Sequence, residues 1–265
     1  MPKLIPSIFI DMLDVADASW QPILFAGLNA IAKADPTYLP TLAKDNYLPT
    51  EGRIFAAFAQ PLDMVKYVLV GEGPYPRAAS ATGVCFMDGA VGALWSEGGL
   101  SKQVNRATSL RNFMKMLLVA DGQLAPEKTS GDALAHIAQA ARAEESTYIQ
   151  TLVELQANLT AQGFLLLNAA LVFRPHVVVP KEAKAWQPFL QTVLLALADY
   201  ASSKKAAPPT LVLWGKVAEQ LEALPPVDRF PKANAEHPYN LTFILNPTMQ
   251  SLFGAMHLLN RRTAK

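Results

Sequence analysis

Three stretches of this chain hold residues suited to chemistry. The first, Gly71-Glu72-Gly73-Pro74-Tyr75-Pro76, breaks the apolar run Val65 to Val70. Its two glycines permit unusual backbone angles, and its two prolines stiffen the turn and remove N–H donors. A rigid loop at the carboxyl end of a central strand is where open α/β sheets place a ligand. The second, Phe164-Leu165-Leu166-Leu167-Asn168, is apolar with one carboxamide at its end. A buried amide must find a partner, and for a lone asparagine the plainest one is the following turn, which it would cap. The third, Asn246-Pro247-Thr248-Met249-Gln250-Ser251, follows another apolar run. Two other chemistries are excluded. The single Cys85 cannot form an internal disulfide, nor by itself hold an iron–sulfur cluster, which needs about four cysteines. The four histidines are scattered without ligand spacing, so His176 and His237 mark no metal site. No metal and no cofactor are expected.

The elements that position these stretches read as alternating strands and helices. Val65 to Val70, Phe164 to Asn168, Thr210 to Trp214 and Leu241 to Leu245 have the length and composition of buried strands. Helical spacing runs through residues 7 to 34, from Ser109 (as N-cap) to Leu118, from Ala183 to Tyr200 and from Lys216 to Leu224. Asp88 to Leu100 is glycine-rich and reads as irregular, and 121 to 142 as a loop followed by a surface helix. The pattern predicts an α/β fold in a single domain spanning 1–265.

A chain of 265 residues, 51% hydrophobic and 17% charged, is globular and can bury a large core. A net charge of +1 says little about nucleic acid, which is gripped by a local basic face rather than a high total. The N-terminal stretch has one lysine, a broken apolar core and acids at Asp11 and Asp14, so it reads as no signal peptide. No run reaches the roughly 18 apolar residues of a membrane span. A soluble, cytoplasmic, monomeric protein without a membrane partner is expected.

The loop from Gly71 to Phe86 resembles the water-activating motif of the uracil-DNA glycosylases, which reads Gly-Gln-Asp-Pro-Tyr-His and closes on Gly-Leu-Cys-Phe. Gly71, Pro74, Tyr75, Gly83, Cys85 and Phe86 match. Gly73 stands at the catalytic aspartate and Pro76 at the following histidine. Leu165-Leu166-Leu167-Asn168 is similar to the family's base-reading strand end. Asn246 to Ser251 is similar to its His-Pro-Ser-Pro-Leu-Ser segment, with Asn246 at the histidine. Ser19-Trp20-Gln21-Pro22-Ile23-Leu24, Pro49 to Phe55, Ser109-Leu110-Arg111-Asn112, Leu213-Trp214-Gly215 and Phe253-Gly254 also fit, so the resemblance spans about residues 15 to 262.

The resemblance implies a three-layer α/β/α fold around a central, mainly parallel four-stranded sheet. It implies a base pocket in which Phe86 stacks on a pyrimidine, Tyr75 excludes a methyl group and Asn168 pairs with O4 and N3–H through a donor and an acceptor in one plane. The catalytic positions are Glu72, Gly73 and Asn246. Asn246 retains a neutral donor toward O2, while Gly73 offers no base; iron–sulfur relatives with a Gly-Glu-Gly-Pro loop are active. Ser109, Thr248 and Ser251 would meet phosphates, with Met249 or Gln250 as the wedge between bases. The expected partner is uracil-containing or single-stranded DNA. The expected activity is a slow, monofunctional glycosylase of base excision repair. The alternative is a protein that keeps the pocket and binds DNA or uracil without cleaving.

Overall fold

Parallel strands covered on both faces need apolar residues at every position rather than at alternate ones. Three continuous apolar runs of this chain accordingly form three adjacent strands of one sheet. A computed structural model describes residues 4–262. Its strands are β1 (Tyr67–Gly71), β2 (Trp95–Ser96), β3 (Gly99–Leu100), β4 (Phe164–Asn168), β5 (Thr210–Trp214) and β6 (Lys232–Ala235). Its helices are α1 (Ser7–Asp11), α2 (Gln21–Ala34), α3 (Tyr38–Leu42), α4 (Lys102–Arg106), α5 (Thr108–Ala120), α6 (Asp132–Ala141), α7 (Leu152–Ala161), α8 (Val179–Ser203), α9 (Lys216–Glu222) and α10 (Pro247–Phe253). The sheet runs β4-β1-β5-β6, and the architecture is three-layer α/β/α. β1 pairs in parallel with both of its neighbours, β4 and β5, Leu69 lying opposite Leu166 on one side and Val212 on the other. Gly71 lies opposite Asn168, so the first two chemical stretches leave the sheet at the same level.

Two expectations change. Leu241–Leu245 is a short 3-10 helix, not the last strand. Only Phe243 and Ile244 of that run find the core, while Leu241 and Leu245 face solvent. The last strand is β6, whose Lys-Ala-Asn-Ala carries no apolar signal. It is held at the sheet edge by its backbone, with Leu211 N–H donating to Pro231 O and Gly215 N–H to Ala235 O, both at 2.9 Å. The stretch expected to be irregular contains the antiparallel hairpin β2–β3. Ser109 is not an N-cap: α4 runs to Arg106, Ala107 alone joins it to α5, and α5 starts one residue ahead of Ser109.

The contacts divide the chain into two compact units. One comprises the chain through Asp88 with Gly163–Leu213 and Val217–Lys232; the other comprises Gly89–Gln162, Trp214–Lys216 and the chain from Ala233 onward. In the first, α2 packs on α8 so closely that a Cβ on Gly27 would meet the Phe189 ring at 2.5 Å. Trp20, Phe58, Trp186 and Phe189 form a chain of ring contacts with centroids 5.0–6.2 Å apart. Trp20 Nε1 donates to Gln60 O at 2.8 Å, and Gln60 Nε2 donates to Phe164 O at 2.7 Å, which ties α2 to the base of β4.

In the second unit, Phe113 of α5 lies 5.7 Å from Trp214 and 5.2 Å from Phe253. Asp121, just past α5, is buried with one oxygen 3.2 Å from His257 Nδ1 and the other without a partner among the described residues. Burial lifts its carboxyl above the ordinary carboxylate range, with His257 pulling the other way. An acid whose folded pKa is raised is favoured in its protonated form. This site therefore contributes most stability at low pH and loses it as pH rises through the folded value. Asp121→Asn should flatten that part of the melting temperature against pH.

Candidate functional site

The first unit assembles Glu72, Gly73, Tyr75, Phe86 and Asn168 around the carboxyl ends of β1 and β4. β1 can end beside Asn168 only because residue 71 is glycine: a Cβ there would lie 2.9 Å from Asn168 Oδ1 and 3.0 Å from Cys85 Cβ. The loop returns to the sheet at Cys85, whose N–H donates to Leu166 O at 3.1 Å and whose thiol donates to Leu69 O at 3.3 Å. It is then forced through two left-handed residues, Gly83 (φ +85°) and Phe86 (φ +65°). Gly83 has no alternative, since a Cβ there would stand 2.0 Å from Arg53 O. Phe86 is a non-glycine held in a sparsely populated region, a local strain of the kind found at ligand sites. Tyr75 reaches back to the same point, its hydroxyl donating to Phe86 O at 3.4 Å. Burial, then the charge of Asp88, push that hydroxyl above its ordinary pKa, so Tyr75 stays neutral.

Asn168 is 3% exposed, yet among the described residues its carboxamide makes no hydrogen bond. It does not cap the following turn: Ala169 and Ala170 instead donate their backbone N–H groups to Gly71 O and Glu72 O at 2.8 and 3.2 Å. Its polar atoms are not sealed from solvent. This is the mark of a group kept for a partner that arrives later.

Glu72 is exposed, and Asp88 lies 3.7 Å from Arg77. Gly73 has room, since a Cβ would meet only Ala170, at 3.7 and 3.8 Å. Glu72, Gly73 and Pro74 form one wall of a cavity of about 80 Å³, and Arg174 and Glu182 line another part. These two form a buried pair at 2.9 Å, joined by the Tyr38 hydroxyl on Glu182 and by Asp45 on Arg174 at 3.2 Å. His176 closes the network on Asp45 at 3.0 Å.

The second unit holds the Asn246 segment. Asn112, fully buried on α5, donates to Pro238 O at 2.8 Å and Tyr239 O at 3.2 Å and so fixes the chain ahead of Asn246. Ser109 lies in the first turn of α5, and Asn112 makes this contact instead. Asn246 caps α10, its Oδ1 accepting from Met249 N–H at 3.1 Å, while Nδ2 donates to Glu236 Oε2 at 2.7 Å. Burial works against the Glu236 carboxylate, but hydrogen bonds from its own backbone, Thr242 and Asn246 outweigh it and hold the group below the usual range. Thr248 and Ser251 are exposed. Gln250 donates its amide to Ile244 O at 3.0 Å. Met249 is fully buried, with Trp214 Nε1 donating to its sulfur at 3.2 Å, so it has no surface to insert between bases. The exposed apolar side chains near Asn246 are Tyr239, Leu241 and Leu245. Sequence reasoning missed Asn112, Glu236 and His237-Pro238: reading Leu241 to Leu245 as the last strand puts the segment after it at Asn246, whereas the segment that follows β6 begins at Glu236-His237. A buried helical asparagine is a detectable signal only once burial is known, and a lone glutamate in a loop carries none.

Comparison with known proteins gives a consistent picture. No protein-family model matches the chain. It is 28% identical to the uracil-DNA glycosylase of Corynebacterium glutamicum over 216 residues, covering 80% of this chain and 76% of that protein. It is 26% identical to uracil-DNA glycosylase 1 of Streptomyces avermitilis over 227 residues, covering 85% and 81%. Among solved structures, wild-type UNG of Nitratifractor salsuginis superposes with a TM-score of 0.85 at 38% identity, covering 95% of this chain and 96% of that one. Mimivirus uracil-DNA glycosylase, at 15% identity and a TM-score of 0.53, shares the fold.

Proposed function

The chain belongs to the uracil-DNA glycosylase superfamily, and from that premise we propose that it hydrolyses the N-glycosidic bond of uracil, or of a closely related base, flipped out of DNA. The observation that carries this reading is the Asn168 carboxamide, buried and unpaired. A flipped uracil supplies both missing partners, O4 for the amide N–H and N3–H for its oxygen. Phe86 offers a stacking face, and Tyr75 fills the side where a thymine methyl would sit.

In the reaction the C1′–N1 bond breaks, the base leaves with its electron pair, and water adds to C1′ and releases a proton to solvent. His237-Pro238, which follows β6, takes the place of the family's His-Pro that was expected at Asn246; His237, with Nδ1 accepting from Tyr239 N–H at 3.1 Å, donates to O2 as charge develops there. Losing a donor at such a position costs about 2.7–4 kcal/mol. Gly73 contributes no base, and backbone carbonyls of the loop position the water. Thr248 and Ser251 meet phosphates. Exposed Leu241, four residues past His237 as the leucine is in the family's segment, is the apolar side chain suited to entering a base step, rather than buried Met249.

The missing side chain at Gly73 supports a second reading, in which the pocket binds uracil-containing or single-stranded DNA without cleaving it. One experiment separates the two: single-turnover excision from a uracil oligonucleotide, single- and double-stranded, with binding followed on the same samples. Alkali-labile sites are expected from the enzyme. Binding without them would establish the second reading, and absence of both would remove the DNA role. Gly73→Asp sharpens the test, because its Cβ fits. Proton transfer by a tuned group contributes about 10²–10⁴ in rate, and a grafted carboxylate should recover about tenfold of that.

A further inference from the structure

The second unit carries a positive face that nothing local balances. Residues 98–120 contain four cations, Lys102, Arg106, Arg111 and Lys115, and no acid. Lys102 and Arg106 are exposed on α4, Arg111 is half-buried on α5, and Lys115 on the same helix is 9% exposed. Lysine is almost never buried to this extent unless it is paired. Yet Lys115 makes no hydrogen bond and no ion pair among the described residues, and its Nζ is not sealed from solvent. Burial, then the charge of Arg111, hold the ammonium below the ordinary lysine range. Arg111 stands four residues earlier on the helix, a spacing at which like charges repel. No acid of α4 or α5 offsets these costs.

The surroundings say what would. Arg111 Nε donates to Asn112 Oδ1 and Nη1 to Asn105 O, both at 3.3 Å, which leaves Nη2 without a bond among the described residues. The Nδ2 of the same Asn112 gathers Pro238 O, Tyr239 O and Asn240 O at 2.8, 3.2 and 3.4 Å. One amide thus joins the guanidinium to the turn that follows β6. That turn presents Tyr239 and Leu241, each 67% exposed. Apolar side chains beside free cations match a nucleic-acid strand, which offers faces for the first and phosphates for the second. α5 also has no acid in its first turn, so its dipole adds to the attraction.

We propose that Arg111 and Lys115 hold a backbone phosphate of the DNA strand engaged by the Tyr239–Leu241 turn. The ligand is a phosphodiester, and it supplies the partner that Lys115 lacks. The inference rests on the DNA reading above and deepens it, adding a contact apart from the base pocket.

The test follows affinity for a labelled oligonucleotide without uracil, so that the base pocket is not engaged, from about 50 to about 200 mM salt. Lys115→Met keeps the stem and removes the charge; Arg111→Gln removes the charge nearer the surface and leaves the core alone. Each should weaken binding about threefold to tenfold. Together they should lower the slope of log affinity against log salt by about 0.7–0.9, the share of one phosphate. Lys115→Met should also raise the melting temperature by about 1–3 °C, because a buried charge and a repulsion are gone. Single-turnover excision from uracil DNA at saturating protein should stay within about twofold of wild type. If wild type excises uracil and both variants keep its affinity and slope, Lys115 only lays its stem along the core, and the phosphate site is overturned while the glycosylase reading stands. A wild type that binds no DNA removes both. Inorganic phosphate is the third arm: if it raises the melting temperature of wild type and not of the variants, with DNA affinity untouched by either substitution, the site takes a free anion and the assignment to a strand is overturned.

Discussion

Asn168→Leu should make the protein more stable and nearly inactive. The side chain is 3% exposed and makes no hydrogen bond among the described residues, so leucine gives up no bond there. Leucine has a similar volume and no polar atoms, so its substitution should gain about 1 kcal/mol, a rise of about 2–4 °C in melting temperature for a chain of this size. Single-turnover excision of uracil should fall by about 10²–10³, because the base edge loses its donor and acceptor together and enters an apolar site unpaired. The opposite signs of the two effects carry the test. A structural asparagine would lose stability on substitution and leave excision alone. That pattern, measured by thermal denaturation and by alkali-revealed cleavage on the same preparations, would remove Asn168 from the pocket.

Gly83→Ala should cost about 3–4 kcal/mol, or about 10 °C in melting temperature. Two penalties combine. A left-handed backbone strains any residue with a Cβ, by about 1 kcal/mol or more. The Cβ would also stand 2.0 Å from Arg53 O, a backbone atom that cannot rotate away. Relief requires the loop to lift from the segment around Arg53, which pulls on the Cys85 bonds to β1 and β4 and on the strained Phe86 beyond them. Excision should therefore fall along with stability, unlike the Asn168 variant. Gly83→Ala with an unchanged melting temperature would mean that the loop has another path across the sheet.

Comparison of sequence and structure shows where sequence patterns carry information. β1, β4 and β5 are legible because strands buried on both faces must be apolar throughout. The same rule misplaces the last strand. Leu241 to Leu245 has the right composition but folds as a 3-10 helix, and two of its leucines remain in solvent. β6 holds that edge with its backbone and buries only Ala233, so no hydrophobic pattern announces it. In the site, the motif residues of the loop are legible as types. The unpaired state of Asn168 is not, since pairing is a property of neighbours 97 residues away, where Gly71 leaves the amide its space. The Glu236–Asn246 bond is likewise invisible, because a ten-residue separation across a turn follows no helical or strand period.

The anchors of the Gly71–Phe86 loop have a consequence for how this chain can change. Gly71, Gly83 and Cys85 sit at its two ends, where glycine is demanded by close neighbours or where bonds reach the sheet. Gly73, by contrast, meets nothing closer than 3.7 Å, and Glu72 and Pro76 are exposed. Substitution in the middle therefore meets little mechanical resistance, whereas substitution at the ends breaks the fold. The loop behaves as a socket with fixed rims and an interchangeable insert. A lineage can exchange the reagent held over the base, or discard it, in single mutational steps without refolding the domain. An engineer can exploit the same independence by screening residues 72, 73 and 76 together for chemistry on other flipped bases.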